Sequence, residues 1–392
     1  MIKIGIFIDG SKFSGGSFHH SSNIRKILAS IEGYNIKFYV TNSHNKKRDI
    51  YDQEIYRINF FDKIFFLLYS SLFFKKILNK FKIVNRFERF IKKNKVDLVF
   101  FLGQSQLSIF CDNINFVSYI YEFHHKFRPD LPEYKNFLNY DEREKQVFSN
   151  INKSIEVVVD TEKKSEELEK YYNCPKQKIN VIPLLIDSNK FETKKINENI
   201  LKFVKDQKVY FFYPAQYWAH KNHIFILETL KQIKQNFKID INFVFTGAKK
   251  ENYKFIQNKL DSYNLFGNVK IFENLDTHDL NYLFKNCSAV VLPTLIGYSC
   301  MPLFEAFYLK IPVIYTKDLL DNEYKKFVTE VDISDINELS DLLINFSKRK
   351  EEFKNITNNA KEYFDKNLNN ESIKIKYQEL FKKISNKIKI YE

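Results

Sequence analysis

The chain has 392 residues, 44% of them apolar and 28% charged, with 62 Lys and Arg against 48 Asp and Glu and a formal net charge of +14. The length is too great for one ordinary core and suits about two domains, and the composition excludes a disordered or collagen-like chain. The positive balance points to anionic partners: nucleotides, nucleic acid or an acidic membrane surface.

The first run, IKIGIFI (2–8), lies between charges and reads as a buried first strand rather than a signal peptide. Gly15, Gly16 and Ser17 follow it. Then SNIRKILASI (22–31) sets Ile24, Ile27, Leu28 and Ile31 at helical spacing. YNIKFYV (34–40) is the next strand. The segment 57–95 is aromatic and basic and nearly free of acids, which suits one or two helices with an apolar face and a lysine-rich rim. Its most apolar run, Ile64–Phe74, has 11 residues, short of the roughly 20 that span a bilayer. Such helices either pack on the first sheet or lie on anionic lipid.

VDLVFFL (96–102), NFVSYIY (115–121), IEVVVD (155–160) and INVIPL (179–184) continue the strand rhythm. A charged, low-complexity stretch, Asp187–Lys208, separates this series from KVYFFYPA, INFVFTG, NVKIFE, AVVLPT and IPVIYT. Short apolar strands alternating with amphipathic helices predict parallel sheets covered on both faces. The fold class is therefore α/β: two doubly wound, Rossmann-like domains with a ligand cleft at the carboxyl ends of their strands. The expected division is 1–187, 188–370 and a terminal helix over 371–392 packing back on the first domain. The four cysteines, Cys111, Cys174, Cys287 and Cys300, show no CxxC or zinc spacing and read as free thiols of a reducing cytosol.

Two stretches carry candidate chemistry. In PTLIGYSCMPLFEAFYLKIPVI (293–314), Pro302 suits a first helical position and Pro312 ends the helix. The loop Gly297–Met301 then presents backbone N–H groups at a helix N-terminus, an anion site by construction. Glu305, expected in the first turn, either complements the helix dipole or accepts hydrogen bonds from sugar hydroxyls. In FYPAQYWAHKNH (212–223), Asn222 is the expected N-cap, and Lys221 is either a solvated lysine or the cation that meets charge growing on a departing phosphate. His124 and His125 follow a strand end, and His19 and His20 lie near the first glycines.

These paired motifs, PAQYWAHKNH and PTLIGYSCMPLFEAFYLKIPV, resemble the carboxyl-terminal half of family 4 retaining glycosyltransferases, which have the two-domain GT-B fold. The likeness covers most of 155–320 and extends more weakly to DGSKFSGGSFHHSSNI and YEFHHKFRPDLPE. It implies a phosphate-binding role for Lys221 and a ribose-binding role for Glu305. It also implies backbone contacts from Ser299, Cys300, Met301, Pro302 and Leu303 to the diphosphate and sugar. The base would rest near Phe272 to Leu275, including Asn274. Gly15, Gly16 and Ser17 would approach the donor phosphates or the acceptor, and His125 would touch substrate.

The family's usual acid eight residues before Glu305 is Gly297 here, and its usual Arg five residues before the Lys is Gln216, which can donate a hydrogen bond but no charge. No DxD motif occurs, so the expectation is a metal-independent, cofactor-free hexosyl transferase of class EC 2.4 whose co-substrate is a nucleoside-diphosphate sugar. Its acceptor would be a saccharide or lipid-linked saccharide in cell-surface polysaccharide synthesis. The site would be cytoplasmic, peripheral on the inner face of an anionic membrane. A nucleotide-sugar epimerase and a non-catalytic scaffold or sugar-nucleotide sensor stand as alternatives. Nucleic acid is not an expected partner, because no helix-turn-helix, zinc or aromatic RNP motif accompanies the charge.

Overall fold

A computed structural model describes the chain except residues 9–15, 42–51, 82, 136, 192–195, 208, 274 and 392. The chain divides into two compact units. One comprises Met1–Asp130, Tyr134–Leu185 and Asn370–Glu392, the other Leu131–Glu133 and Ile186–Asn369.

The first unit holds β1 (Lys3–Ile8), α1 (Gly16–Ala29), β2 (Asn35–Val40), β3 (Asp52–Ile55), α2 (Phe60–Ser70), α3 (Leu72–Lys80) and α4 (Arg86–Lys93). It continues with β4 (Leu98–Phe101), β5 (Phe116–Tyr119), α5 (Phe137–Lys153), β6 (Glu156–Val159), α6 (Glu162–Tyr172) and β7 (Ile179–Val181). The strands form one seven-stranded sheet in the order β3-β2-β1-β4-β5-β6-β7, and every pairing is parallel. Parallel neighbours need crossovers, which the helices supply. Alternate residues of each strand face opposite ways. Ile4, Ile6, Ile8, Leu98 and Phe100 pack with α1 on one face. Phe7, Tyr39, Val99 and Phe101 pack with α2, α3 and α4 on the other.

The second unit holds α7 (Glu198–Asp206), β8 (Phe211–Pro214), α8 (His223–Phe237), β9 (Phe243–Thr246), α9 (Tyr253–Ser262), β10 (Val269–Phe272) and α10 (Thr277–Asn286). Then come β11 (Ala289–Leu292), α11 (Met301–Leu309), β12 (Val313–Thr316), β13 (Thr329–Val331), α12 (Ile336–Ile344) and α13 (Lys350–Asn367). Its six-stranded sheet has the order β10-β9-β8-β11-β12-β13, again all parallel. In both sheets the chain starts at the centre, runs to one edge, and returns to fill the other, the doubly wound order of nucleotide-binding folds. The last helix, α14 (Asn370–Tyr391), belongs to the first unit. Its Ile373, Tyr377, Leu380, Phe381, Ile384 and Ile388 join the core that α1 covers. Lys383 and Lys387 of α14 close on the fully buried Glu156 carboxylate, Lys383 Nζ at 2.7 Å.

The α/β class and the eleven apolar runs read as strands are all present. Two strands were not foreseen, β3 (DQEI) and β13 (TEV). Both are short, polar edge strands, the places where a sheet avoids the apolar run that would mark them. Segment 57–95 folds as three helices, not one or two. Part of the stretch read as a boundary is α7, capped by the Asn197 side chain.

Candidate functional site

Within the second unit, two loops leave neighbouring strands at their carboxyl ends. The loop after β8 crosses the end of β9 at Gly247, whose φ is +147°. A Cβ there would lie 2.3 Å from the Ala215 carbonyl oxygen and 2.8 Å from the Gln216 nitrogen, so only glycine fits. Tyr217 N–H then donates to the Ala248 carbonyl at 3.2 Å. The Trp218 indole N–H donates to Gln216 Oε1 at 3.0 Å. A short 3-10 turn, Ala219–Lys221, follows, with Lys221 N–H on the Trp218 carbonyl at 3.1 Å. Asn222 occupies the cap position of α8, but in a left-handed conformation with no side-chain capping bond. The expectation of an Asn222 cap is corrected on that point: at φ 55° its side chain does not bond the first-turn amides.

The second loop joins β11 to α11. Leu295 N–H donates to the His220 carbonyl at 2.8 Å, so the lysine turn and this loop are tied together. The Tyr315 hydroxyl donates to the Gly297 carbonyl at 3.0 Å, and Asp321 N–H to the Tyr298 carbonyl at 3.1 Å. Gly297 has φ +108°, a backbone that a larger residue adopts only under strain. Space beside it is open, since an added Cβ would meet only the Ser299 oxygen at 3.7 Å.

α11 begins one residue earlier than the sequence suggests. Met301 is its first residue, Pro302 its second, and Cys300 its cap, without a side-chain capping bond. Proline still costs little there, because first-turn amides have no partner inside the helix. Glu305 consequently lies in the second turn, not the first, and no acid stands in the first turn. That weakens the reading of Glu305 as a complement to the helix dipole, which acts within the first turn. The side chain is buried.

Charge joins these groups. Burial pushes the Cys300 thiol up to about 11, Lys221 pulling it down and Glu305 pushing it up. One thiol therefore sits within the fields of both. Burial also pulls the Lys221 amine below the ordinary lysine range, against Cys300 and Glu133, which hold it up. Burial, reinforced by the Lys221 charge, drops His223 to about 3 and keeps its ring neutral. His223 stacks on Tyr217 with centroids 4.7 Å apart.

Glu133 and His223 were not singled out in the sequence. Glu133 Oε1 accepts from the His220 amide at 3.1 Å and lies 2.9 Å from His220 Nδ1. Burial works against its charge, but the His220 ring and amide prevail and hold it down at about 2. An acid 87 residues from its partner leaves no local pattern to read. His223 closes the HKNH run, but only its burial distinguishes it from an exposed neighbour.

Phe272 ends β10, in register with Thr246. Thr246 in turn pairs with Pro214, so Phe272 lies two strand spacings, about 10 Å, from the end of β8. Its ring packs edge-on against Phe203 of α7, with centroids 5.3 Å apart. There it lines an open groove of about 860 Å³ with Tyr253, Gln257, Phe266 and Glu273. Asn274 and Gly15 lie outside the described residues.

Gly16, Ser17 and His125 belong to the first unit. Gly16 is the exposed first residue of α1 and Ser17 the second. His125, expected to touch substrate, is fully buried. Its Nε2 lies 3.0 Å from Glu144 Oε2, and the Tyr140 ring sits edge-on at 5.2 Å. Glu144 also accepts from Lys126 at 2.6 Å and Tyr172 at 2.7 Å. Among the described residues no group of three or more His, Cys, Asp or Glu is placed to hold a metal ion.

Residues 193–363 match the family model described as glycosyl transferases group 1. Sucrose-phosphate synthase from Thermosynechococcus elongatus superposes with a TM-score of 0.74 at 12% identity, covering 97% of this chain and 99% of its own. HepE from Anabaena, solved with UDP-glucose, gives 0.67 at 14% identity, over 98% of this chain and 100% of its own. WaaG, a glycosyltransferase involved in lipopolysaccharide biosynthesis, gives 0.65 at 12% identity, over 97% and 99%. At these identities the likeness shows the fold. No curated protein sequence matches the chain.

Proposed function

We propose, from the GT-B fold and the group 1 match over residues 193–363, that this chain is a glycosyltransferase that transfers a hexose from a nucleoside-diphosphate sugar with retention at the anomeric carbon. The acceptor in this reading is a saccharide or lipid-linked saccharide in cell-surface polysaccharide synthesis, met on the cytoplasmic side of the membrane. Support for the donor class comes from HepE, solved with UDP-glucose, and for the pathway class from WaaG.

The observation that carries the reading is the tie between the two loops: Leu295 N–H and the Thr294 hydroxyl donate to the His220 carbonyl at 2.8 and 3.2 Å, so the Lys221 turn is fastened to the loop that opens the helix bearing Glu305. A diphosphate set against the uncapped first turn of α11 meets amide N–H groups and the positive end of the helix. The Lys221 amine, drawn out of water, acts more strongly there than at a surface. Glu305 accepts hydrogen bonds from the ribose hydroxyls. The bond between the anomeric carbon and the phosphate oxygen breaks, and the acceptor oxygen bonds that carbon on the same face. The acceptor's proton passes to the departing phosphate, so no protein nucleophile is required. Catalysis is then positioning together with stabilisation of the leaving diphosphate by Lys221 and the helix amides, in place of a divalent ion.

A panel of nucleoside-diphosphate sugars tests this through slow donor hydrolysis. Lys221→Ala and Glu305→Ala should each slow hydrolysis of the preferred donor by about 100-fold or more while the protein melts as before. Undiminished turnover in both variants would remove the site.

A further inference from the structure

Helices α2 and α3 carry a surface that the sugar-transfer site does not use. Seven large apolar side chains between Phe60 and Ile83 stand 44–75% exposed: Phe60, Phe61, Leu67, Phe73, Phe74, Phe81 and Ile83. Five of them lie on the consecutive helices α2 and α3, where Phe60 pairs with Phe61 and Phe73 with Phe74, and exposed rings gathered in this way mark an interaction surface rather than ordinary scatter.

The orientation is fixed from beneath. Asn59 and Asp62 form a reciprocal capping box at the start of α2. Asp62 is buried and also accepts from the Tyr56 hydroxyl at 2.9 Å and from Arg86 at 2.6 Å. Tyr69, on the same side, packs edge-on to Phe110 at 5.4 Å, and Phe66 lies 4.5 Å from that ring. With Asp62, Phe66 and Tyr69 turned inward, helical spacing leaves Phe60, Phe61 and Leu67 outward.

The charges sort the same way. Residues 57–95 contain eleven Lys and Arg and two acids. Both acids, Asp62 and Glu88, are buried. Lys63, Lys76, Lys80, Arg89, Lys92 and Lys93 are exposed. The outer face is thus aromatic and leucine side chains among cations, with no exposed acid among the described residues of this segment. A protein partner or a second copy would fit the apolar part, but a copy would set like charges against like. An anionic bilayer satisfies both parts: rings and leucine enter the headgroup boundary, and the amines meet lipid phosphates. No described helix is long and apolar enough to cross a membrane, so insertion would be shallow.

We infer that the α2–α3 face, with Phe81 and Ile83 beyond it, docks the protein on anionic lipid. This rests on the lipid-linked acceptor of the proposed function for its purpose, but not for its physics. The test is co-sedimentation of the full chain with vesicles of phosphatidylethanolamine and phosphatidylglycerol, against vesicles of phosphatidylcholine. The anionic vesicles should bind at least tenfold more protein at low salt, with release as salt rises. The triple variant Phe61→Ser, Leu67→Ser, Phe73→Ser should lose most of that binding, and Lys63→Glu with Lys76→Glu and Lys80→Glu should lose the preference for anionic lipid. All three altered apolar positions are exposed, so melting temperature and donor hydrolysis in lipid-free solution should not change. Equal binding to both vesicle types, undiminished binding of the triple variant, or a lipid-free dimer that the triple variant abolishes would each overturn the assignment. Loss of lipid-free hydrolysis in Lys221→Ala with vesicle binding retained separates failure here from failure of the transferase reading.

Discussion

The turn carrying Lys221 leaves its cation without an ion pair among the described residues, whereas the loop carrying His125 pairs its charged groups with one another. Around Lys221, the Leu295, Tyr217 and Lys221 amides bond neighbouring carbonyls, and among the described residues the lysine amine makes no ion pair. Around His125, Glu144 takes His125, Lys126 and Tyr172, while Glu122 takes Arg143 and Tyr134. A loop whose charges are spent on one another has little to offer an ionic ligand. A loop whose lysine makes no ion pair keeps that cation for one.

The largest test of this contrast is kinetic. Lys221→Ala should slow donor hydrolysis about 100- to 1,000-fold, the usual loss when one preorganised stabilising group is removed. His125→Ala should change it less than about tenfold and instead lower the melting temperature, since its loss leaves a cavity and takes one of three partners from Glu144. Comparable kinetic losses in both would erase the distinction. Next comes the backbone itself. Gly247→Ala should cost about 3 kcal/mol in urea unfolding, because its Cβ would meet the Ala215 carbonyl. A neutral result would mean that the two loops do not depend on that crossing.

A smaller effect belongs to the side-chain cluster. Three bonds to His125, Lys126 and Tyr172 outweigh the burial that raises Glu144, and its carboxyl is held below the ordinary 4.5. A carboxylate lowered by folding stabilises fully above its unfolded value, and the contribution is lost as pH falls through the folded one. Glu144→Gln should therefore cost about 2 kcal/mol at neutral pH, and the gap from the wild type should shrink as melts are taken below pH 4.5. A gap independent of pH would assign the loss to packing. The smallest expected change is a shift in a pH profile. Burial lowers Lys221 from 10.5, so the alkaline limb of kcat/KM for donor hydrolysis should fall below that value. Lys221→Arg, if active, should move the limb upward, because a guanidinium keeps its proton.

Much of this was legible in the residues. Val157–Val159 and Val290–Leu292 announce buried parallel strands because both faces are covered, which leaves no polar alternation to confuse the pattern. The helix bracketed by Pro302 and Pro312 is equally visible, since proline acts locally. Glu305 falls in the second turn instead of the first because Met301, not Pro302, is the first helical residue, with Cys300 as a cap that makes no side-chain bond. The edge strands β3 and β13 were not legible, because sheet membership at an edge comes from a neighbour's free backbone and not from their own side chains.

The sequence by itself determined the alternation of strand and helix, the two sheets, and the residue types that can face a diphosphate. Each follows from periodicity and backbone chemistry within a few residues. Only the tertiary structure decided that Glu133 reaches His220, that one thiol feels both Lys221 and Glu305, that His125 turns inward, and that seven apolar side chains of 60–83 face out. Those outcomes depend on which distant segments meet, and electrostatic fields and burial belong to that meeting rather than to any single stretch of chain.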